Sequence, residues 1–162
     1  DIDLECNRLP YEDGMFDFII CNQVFEHLKN FHWLLSEIIR CMAPGNGYAF
    51  IGIPNLSALH CRLQLMAGRQ PSCIHADGPH VRSFTMKEMQ RILQTIEAIR
   101  VTRVLGSNMY GVPPSLSRAL SRYFPSLCVS SFFLIQRLTI GAHDSFLVAL
   151  ARKKLETSFK LE

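Results

Sequence analysis

The sequence predicts an α/β fold, because short apolar runs typical of buried strands alternate with helical repeats of apolar residues. Residues Phe16–Cys21 and Tyr48–Ile53 form nearly unbroken apolar runs, as strands do when a parallel sheet is covered on both faces. Between them, apolar residues recur every three or four positions from Leu28 to Met42, along one side of a helix. Pro44-Gly45 then ends that helix.

The second half of the chain continues this alternation. Thr85–Glu88 has the pattern of a capping box, so a helix is predicted to start there. Residues Ile99–Leu105 and Ser145–Ala151 are predicted as the third and fourth strands. The long connection 55–83 is predicted to be a lid or insertion with a short helix around residues 56–66.

Residues 113–140 are apolar and punctuated by arginines, and we expect a helical insertion there. It would cover a substrate pocket or make a subunit contact, with a membrane-surface amphipathic helix as the alternative. The charge-free stretch 123–135 is shorter than the roughly 20 apolar residues that span a bilayer. We therefore predict no transmembrane segment.

Composition indicates a single domain of 162 residues. A net charge of +3, without a run of basic residues, gives no reason to expect a nucleic-acid partner. Six cysteines without a CxxC pair suit reduced thiols in a cytoplasmic protein, and their spacing with the histidines matches no compact zinc site. The final Leu161-Glu162 resembles the remnant of a purification tag, and the opening Asp1-Ile2-Asp3 suggests a start in mid-domain.

Three motifs in order carry a family resemblance. LPYEDGMFDFIICNQVFEHL at residues 9–28 is followed by APGNGY at 43–48 and by IPN at 53–55. Together they resemble class I S-adenosylmethionine (SAM)-dependent methyltransferases. HVRSFT at residues 80–85 also resembles the segment before the next helix in the subgroup that acts on small molecules, quinones and sugars. The likeness extends over about residues 3–93.

This resemblance implies a partial Rossmann-like methyltransferase sheet. The family's strand order is 3-2-1-4-5-7-6 with the seventh strand antiparallel, so this chain would supply strands 4-5-7-6 with flanking helices. The four predicted strands would be strands four, five, six and seven in chain order. Strands one to three and the glycine-rich SAM loop are missing from the sequence, so residues 1–162 would be the C-terminal part of the domain. We expect the bare edge of strand 16–21 to drive self-association or aggregation, or to be covered by a missing half.

The implied activity is transfer of a methyl group from SAM to an oxygen, nitrogen or carbon of a small-molecule or lipid-linked acceptor. We expect the fragment alone to be inactive. Contact with a membrane surface would accompany a lipid-linked acceptor. A second hypothesis makes the chain a non-catalytic remnant or interaction module built on half of the fold.

The same resemblance implies the cofactor contacts. Asp3 and Leu4 lie where the family binds adenine, although Asp3 could equally be a solvated carboxylate near a chain end. Cys21, Asn22, Gln23 and Val24 follow strand four at its carboxyl end, where open α/β sheets bind ligands. The alternative for Asn22 and Gln23 is ordinary loop polarity.

Three histidines are candidate catalytic bases, because an imidazole titrates near neutral pH. They are His27, beside Glu26, and the loop residues His75 and His80. In some quinone O-methyltransferases of this type, a glutamate at the position of Gln23 joins the matching Glu and His to bind a divalent ion. Gln23 departs from that pattern, so no metal site is expected. The simpler alternatives are a helix-capping role for Glu26 and His27 and solvent exposure for the loop histidines.

Overall fold

A computed structural model describes residues 2–139 of the chain. The described part is an α/β structure in which four strands alternate with helices. The elements are β1 (Phe18–Asn22), a one-turn 3-10 helix (Phe25–His27), α1 (Phe31–Cys41), β2 (Tyr48–Pro54), α2 (Leu59–Met66), α3 (Met86–Gln94), β3 (Ile99–Ser107), α4 (Pro114–Tyr123), a second 3-10 turn (Pro125–Leu127) and β4 (Ser130–Arg137).

The sheet has the strand order β1-β2-β4-β3. β1 and β2 are parallel, as expected for two strands joined by a crossover helix. β4 lies antiparallel between β2 and β3. The predicted order 4-5-7-6, with an antiparallel last strand, is therefore confirmed.

The residues assigned to that last strand were wrong. β4 occupies the place between β2 and β3, and it lies inside the segment 113–140 that was expected to be helical. Only Pro114–Tyr123 of that segment is α-helix, because Pro125 interrupts the helical pattern and residues 130–137 alternate between buried and half-buried positions. Ser145–Ala151, the strand predicted for this place, lies outside the described residues.

One face of the sheet carries the core. On this face β2 and β4 pair Ala49 with Ile135, Ile51 with Phe133 and Ile53 with Ser131, and none of the six is exposed to solvent. Side chains of α1 and α3 complete this cluster. Burial of each large apolar side chain stabilises the fold by roughly 1.5–3 kcal/mol. The core members from the helices are Phe31, Leu34, Leu35, Ile38, Ile39, Met86, Met89 and Leu93.

The opposite face is open near β1. Phe18 is 52% exposed and Ile20 is 68% exposed, and among the described residues β1 pairs with β2 alone. Further along this face the rings of Phe50 and Phe132 stack with their centroids 5.1 Å apart. Within residues 2–139 the apolar edge predicted at residues 16–21 is therefore unpaired, whereas the self-association expected of it stays a prediction.

A buried ion pair fixes the chain before β1 onto α1. Glu37 and Arg40 of α1 are 0% and 5% exposed, with 2.7 Å between Arg40 Nη2 and Glu37 Oε2. Arg40 Nη1 also contacts Asp13 at 2.7 Å and donates to the Tyr11 carbonyl at 2.8 Å. Glu37 in turn accepts from the Leu9 amide at 2.9 Å. The charges are matched by fixed donors and acceptors, so this network is structural.

The short helix predicted within the connection 55–83 and the helix predicted after it are both present, whereas the role of this connection as a lid stays a prediction. α2 lies within the expected range 56–66, and the Thr85 side chain accepts a hydrogen bond from the Glu88 amide at 3.2 Å, as a helix N-cap does. No helix within residues 2–139 is both long and apolar enough to cross a membrane.

Candidate functional site

The carboxyl end of β1 forms a polar surface. Asn22 and Gln23 are exposed there, and Gln23 adopts a left-handed backbone with φ of 56°. This conformation costs a residue with a side chain roughly 1–2 kcal/mol, and a hydrogen bond from the Gln23 amide to the Gly52 carbonyl at 2.9 Å holds it. A Cβ on Gly52 would lie 2.0 Å from Asn22 Oδ1. Glycine at position 52 thus lets the Asn22 side chain lie against β2.

The neighbouring candidates Cys21 and Val24 face the protein interior. Cys21 is 7% exposed and belongs to the core, and burial raises the pKa of its thiol to about 12. Val24 is half-buried and packs against the same core. Of the four residues expected near the cofactor at the carboxyl end of β1, Asn22 and Gln23 are the two that are exposed. Cys21 and Val24 could contribute through backbone atoms.

Asp3 and Leu4 lie in a turn docked against the start of α1. The Asp3 carboxylate accepts from the Glu5 amide at 2.8 Å, and this hydrogen bond lowers the pKa of Asp3. Leu4 packs on the core, while Asn30 donates to the Glu5 carbonyl at 2.9 Å. Asp3 is exposed and ionised at neutral pH, with acceptor capacity left for a ligand.

A cluster of titratable groups lies directly after this surface. Glu26 and His27 belong to the 3-10 turn, and His80 comes from the lid just before α3. One ligand atom from each of the three lies within 4.8 Å of the others. The His27 and His80 rings meet edge to face, with their centroids 4.8 Å apart. Although Glu26 is buried and His27 is exposed, as expected for adjacent residues pointing apart, both reach the same cluster.

Glu26 is the unusual member of the cluster. It is 1% exposed, and neither of its carboxylate oxygens has a hydrogen-bond partner in the described part of the chain. Burial raises the pKa of Glu26, and the nearby charges of His27 and His80 oppose that shift. A buried carboxylate without a partner is costly, which marks this position as a functional candidate.

Both imidazoles of the cluster are held by backbone carbonyls. His27 Nδ1 lies 3.2 Å from the Pro79 carbonyl, and His80 Nδ1 lies 2.8 Å from the Cys73 carbonyl. Since a carbonyl oxygen only accepts hydrogen bonds, Nδ1 of each neutral ring carries the proton. Nε2 of each ring is then the nitrogen with a free lone pair.

His75, the third candidate base, does not join the cluster. Its ring is exposed, and its carbonyl accepts from the Gly78 amide at 3.1 Å. Arg82 donates to the Leu28 carbonyl at 2.9 Å and to the Lys29 carbonyl. Its guanidinium also lies 5.0 Å from the centre of the Phe31 ring. Arg82 therefore fastens the lid to the segment before α1.

Sequence reasoning gave no role to Asn55, which organises the base of the lid. This fully buried amide donates to the carbonyls of Ser126 and Cys128 at 2.9 and 2.8 Å. Its oxygen accepts from the Ser57 amide and from the Met86 amide at the start of α3. The only signal in the sequence was the Pro-Asn pair at the end of β2.

Comparison with protein families decides the family of this chain. The sequence model of the methyltransferase domain matches residues 4–97, more than half of the chain. The chain belongs to the methyltransferase domain family. No curated protein sequence matches it.

Solved structures share the fold of this methyltransferase-domain chain. A SAM-dependent methyltransferase from Thermotoga maritima matches with a TM-score of 0.55 and 14% identity over 80% of this chain. A SAM-dependent methyltransferase from Methanosarcina mazei matches with a TM-score of 0.52 and 12% identity over 86% of this chain. The chain spans 59% and 66% of those two proteins. At these identities the likeness shows the fold.

Proposed function

We propose that this chain is part of a SAM-dependent methyltransferase that acts on a small-molecule or lipid-linked acceptor. The observation that carries the proposal is the polar carboxyl end of β1, where exposed Asn22 and Gln23 are followed directly by the Glu26, His27 and His80 cluster. Ligands of open α/β sheets bind at this end of the strands. Family membership makes SAM the expected methyl donor.

The residues present fit one side of a SAM site. Asn22 and Gln23 offer amide donors and acceptors, the left-handed turn at Gln23 fixes their direction, and Asp3 offers an exposed carboxylate. The sequence contains no GxGxG loop, so the methionine part of the cofactor would need residues beyond these 162. SAM supplies a methyl group already activated by its sulfonium. The protein's task is then mainly to hold the acceptor in line with that group.

The histidines can serve an acceptor that carries a hydroxyl. Nε2 of His27 or of His80 has a free lone pair and could take the hydroxyl proton while its Nδ1 proton stays on a backbone carbonyl. An acceptor without an ionisable proton needs no such base. His75 is exposed on the same lid, so its predicted catalytic role depends on movement of the lid toward the acceptor.

The exposed residues of α2, on the lid, support the proposal that the acceptor is apolar or lipid-linked. Leu59, Leu63 and Met66 of α2 are 41%, 56% and 84% exposed, and their spacing of four and three places them along one side of the helix. Exposed Arg62 lies beside them in the sequence. This combination suits contact with a lipid tail or an anionic membrane surface from the cytoplasm, the compartment expected from the cysteines.

Calorimetry with SAM tests the proposal. We expect micromolar binding by the chain joined to the upstream residues of its reading frame, and little binding by residues 1–162 alone. Gln23→Ala should weaken SAM binding by about tenfold, the loss of one well-placed hydrogen bond. Gln94→Ala, at an exposed position of α3, is the matched control and should bind as the parent does. Absence of SAM binding by the extended protein would refute the proposal.

A second candidate is a non-catalytic interaction module, which the exposed Phe18 and Ile20 favour. In that case residues 1–162 should self-associate with increasing concentration in sedimentation experiments. Ile20→Thr should reduce the association, and Leu105→Thr, at a 51% exposed position of β3, should not. Self-association together with no SAM binding by the extended protein would favour this module over the enzyme.

A further inference from the structure

We propose that Glu26, His27 and His80 form a binding site for a divalent transition-metal ion of the Zn²⁺ type, and that the ion clasps the lid to the 3-10 turn after β1. One carboxylate and two imidazoles are a ligand set that such ions accept, usually with a fourth position open to water or another oxygen ligand. The proposal stands on the contacts of these three residues and does not require the chain to bind SAM. A bound ion would occupy the Nε2 lone pairs, so it is an alternative to the base role proposed for His27 and His80.

The state of Glu26 is the first argument. Its carboxylate is almost fully buried and has no hydrogen-bond partner in residues 2–139. Buried carboxylates are normally neutralised by a cation or by hydrogen-bond donors. A bound cation would supply the missing partner of Glu26.

The orientation of the histidines is the second argument. Metal-binding histidines usually donate their other ring N–H to a carbonyl or a carboxylate, which fixes the tautomer and the ring direction. His27 and His80 both have this arrangement, with Nδ1 on the carbonyls of Pro79 and Cys73. Their Nε2 lone pairs are therefore prepared for coordination before any ion arrives.

Distance is the third argument. One carboxylate oxygen of Glu26 and one ring nitrogen of each histidine lie within 4.8 Å of one another. Around a tetrahedral zinc ion, ligands at about 2.0–2.1 Å are roughly 3.4 Å apart. Closing this difference needs side-chain movement, and the exposed side of the His27 ring leaves room for it. The exposure of His27 also leaves a side of the cluster open to solvent for a fourth ligand.

The site would join two distant parts of the chain. The Val81 and Arg82 amides already donate to the Glu26 carbonyl at 2.9 and 3.3 Å, so the lid lies against the 3-10 turn without metal. An ion shared by Glu26, His27 and His80 would add a direct cross-link at the same place. This metal site differs from the expectation drawn from the sequence, where Gln23 spoke against a metal. Here the third ligand is His80 of the lid, and no ligand is needed from position 23.

Metal titration of the 162-residue chain, stripped with a chelator, tests the site. We expect about one equivalent of Zn²⁺ to bind and to raise the melting temperature by roughly 5–15 °C at saturation. Glu26→Gln and His80→Asn should each weaken binding by at least about 100-fold, since loss of mere outer-sphere partners already costs 10–100-fold. Glu12→Gln, which changes an exposed carboxylate outside the cluster, should bind as the parent does.

A second cluster provides the control for where the ion binds. Cys61 Sγ lies 3.4 Å from Cys73 Sγ and 3.3 Å from His60 Nε2, so thiolates could compete for zinc. Co²⁺ at the proposed site should show no sulfur charge-transfer absorption, and the double variant Cys61→Ser, Cys73→Ser should retain its affinity. Circular dichroism of each variant without metal checks that it folds. No binding by the parent, unchanged binding by folded Glu26→Gln, or loss of binding in the cysteine variant would overturn the proposal.

Discussion

Two buried glutamates of this chain differ in what surrounds them. Glu37 is 0% exposed, accepts from Arg40 and from the Leu9 amide, and anchors the segment before β1 to α1. Glu26 is 1% exposed, and its oxygens have no hydrogen-bond partner among the described residues. Among the described residues, the imidazoles of His27 and His80 lie beside it.

The difference separates structure from function. The fold holds the permanent cation Arg40 beside Glu37, so the pair is part of the scaffold. Removal of either partner should destabilise the protein. Glu26 imposes a desolvation cost on the fold, and within residues 2–139 it lacks the fixed hydrogen-bond donors that surround Glu37. Residues that break the local rules of a stable interior are concentrated at functional sites. The contrast therefore supports the proposal that a ligand acts at the Glu26 cluster.

The largest expected effect comes from removal of the partner of Glu37. Arg40→Met leaves a buried carboxylate without its cation, so the free energy of unfolding should fall by about 3–5 kcal/mol. Urea unfolding at neutral pH measures it. Arg91→Met, which breaks the exposed pair with Glu88, is the control and should cost less than about 1 kcal/mol. Equal losses in both variants would contradict a structural role for the Glu37–Arg40 pair.

Glutamine at each glutamate position compares the two sites directly. Glu37→Gln should lower the free energy of unfolding by roughly 1.5–3 kcal/mol, because hydrogen bonds to a charged group are lost. Glu26→Gln in chelator-treated protein should leave it unchanged or raise it by up to about 1 kcal/mol, because an unpartnered carboxylate is removed. Chemical denaturation of both variants in the same buffer gives the difference. A comparable loss at Glu26 would mean that the carboxylate has a stabilising partner.

The smallest effect concerns the outer member of the Arg40 network. The hydrogen bond from Arg40 holds the pKa of Asp13 below its usual 3.8. Ionised Asp13 therefore stabilises the fold at pH values above the pKa of the unfolded state. This contribution is lost as the pH falls through the lowered pKa of the folded state. Asp13→Asn should cost about 0.2–1 kcal/mol at pH 7, since Asp13 is largely exposed. Urea unfolding from pH 7 to pH 3 should show this cost shrinking below about pH 4. A cost independent of pH would exclude ionisation of Asp13 as its cause.

Local patterns predicted much of the fold. The apolar runs of β1 and β2, the helical repeat of α1 and the capping box of α3 each lie within a few consecutive residues, and the structure confirms all four. Their order in the sheet came from the family resemblance. The prediction failed after residue 113, where a helical pattern up to Pro125 obscured the strand β4 that follows it. Which of two apolar segments inserts between β2 and β3 depends on packing against both strands, and packing has no local signal.

For the candidate site, the sequence by itself determined the chemistry of the side chains: the polar Asn22 and Gln23 after a buried strand, and histidines that can bind protons or metal. Only the tertiary structure decided that Glu26 is buried without a partner and that His80, and not His75, reaches it. The physical reason is that periodicity acts over neighbouring residues. Burial and contact between Glu26 and His80 depend on how the long lid closes over the 3-10 turn, which the contacts of Asn55, Val81 and Arg82 hold in place.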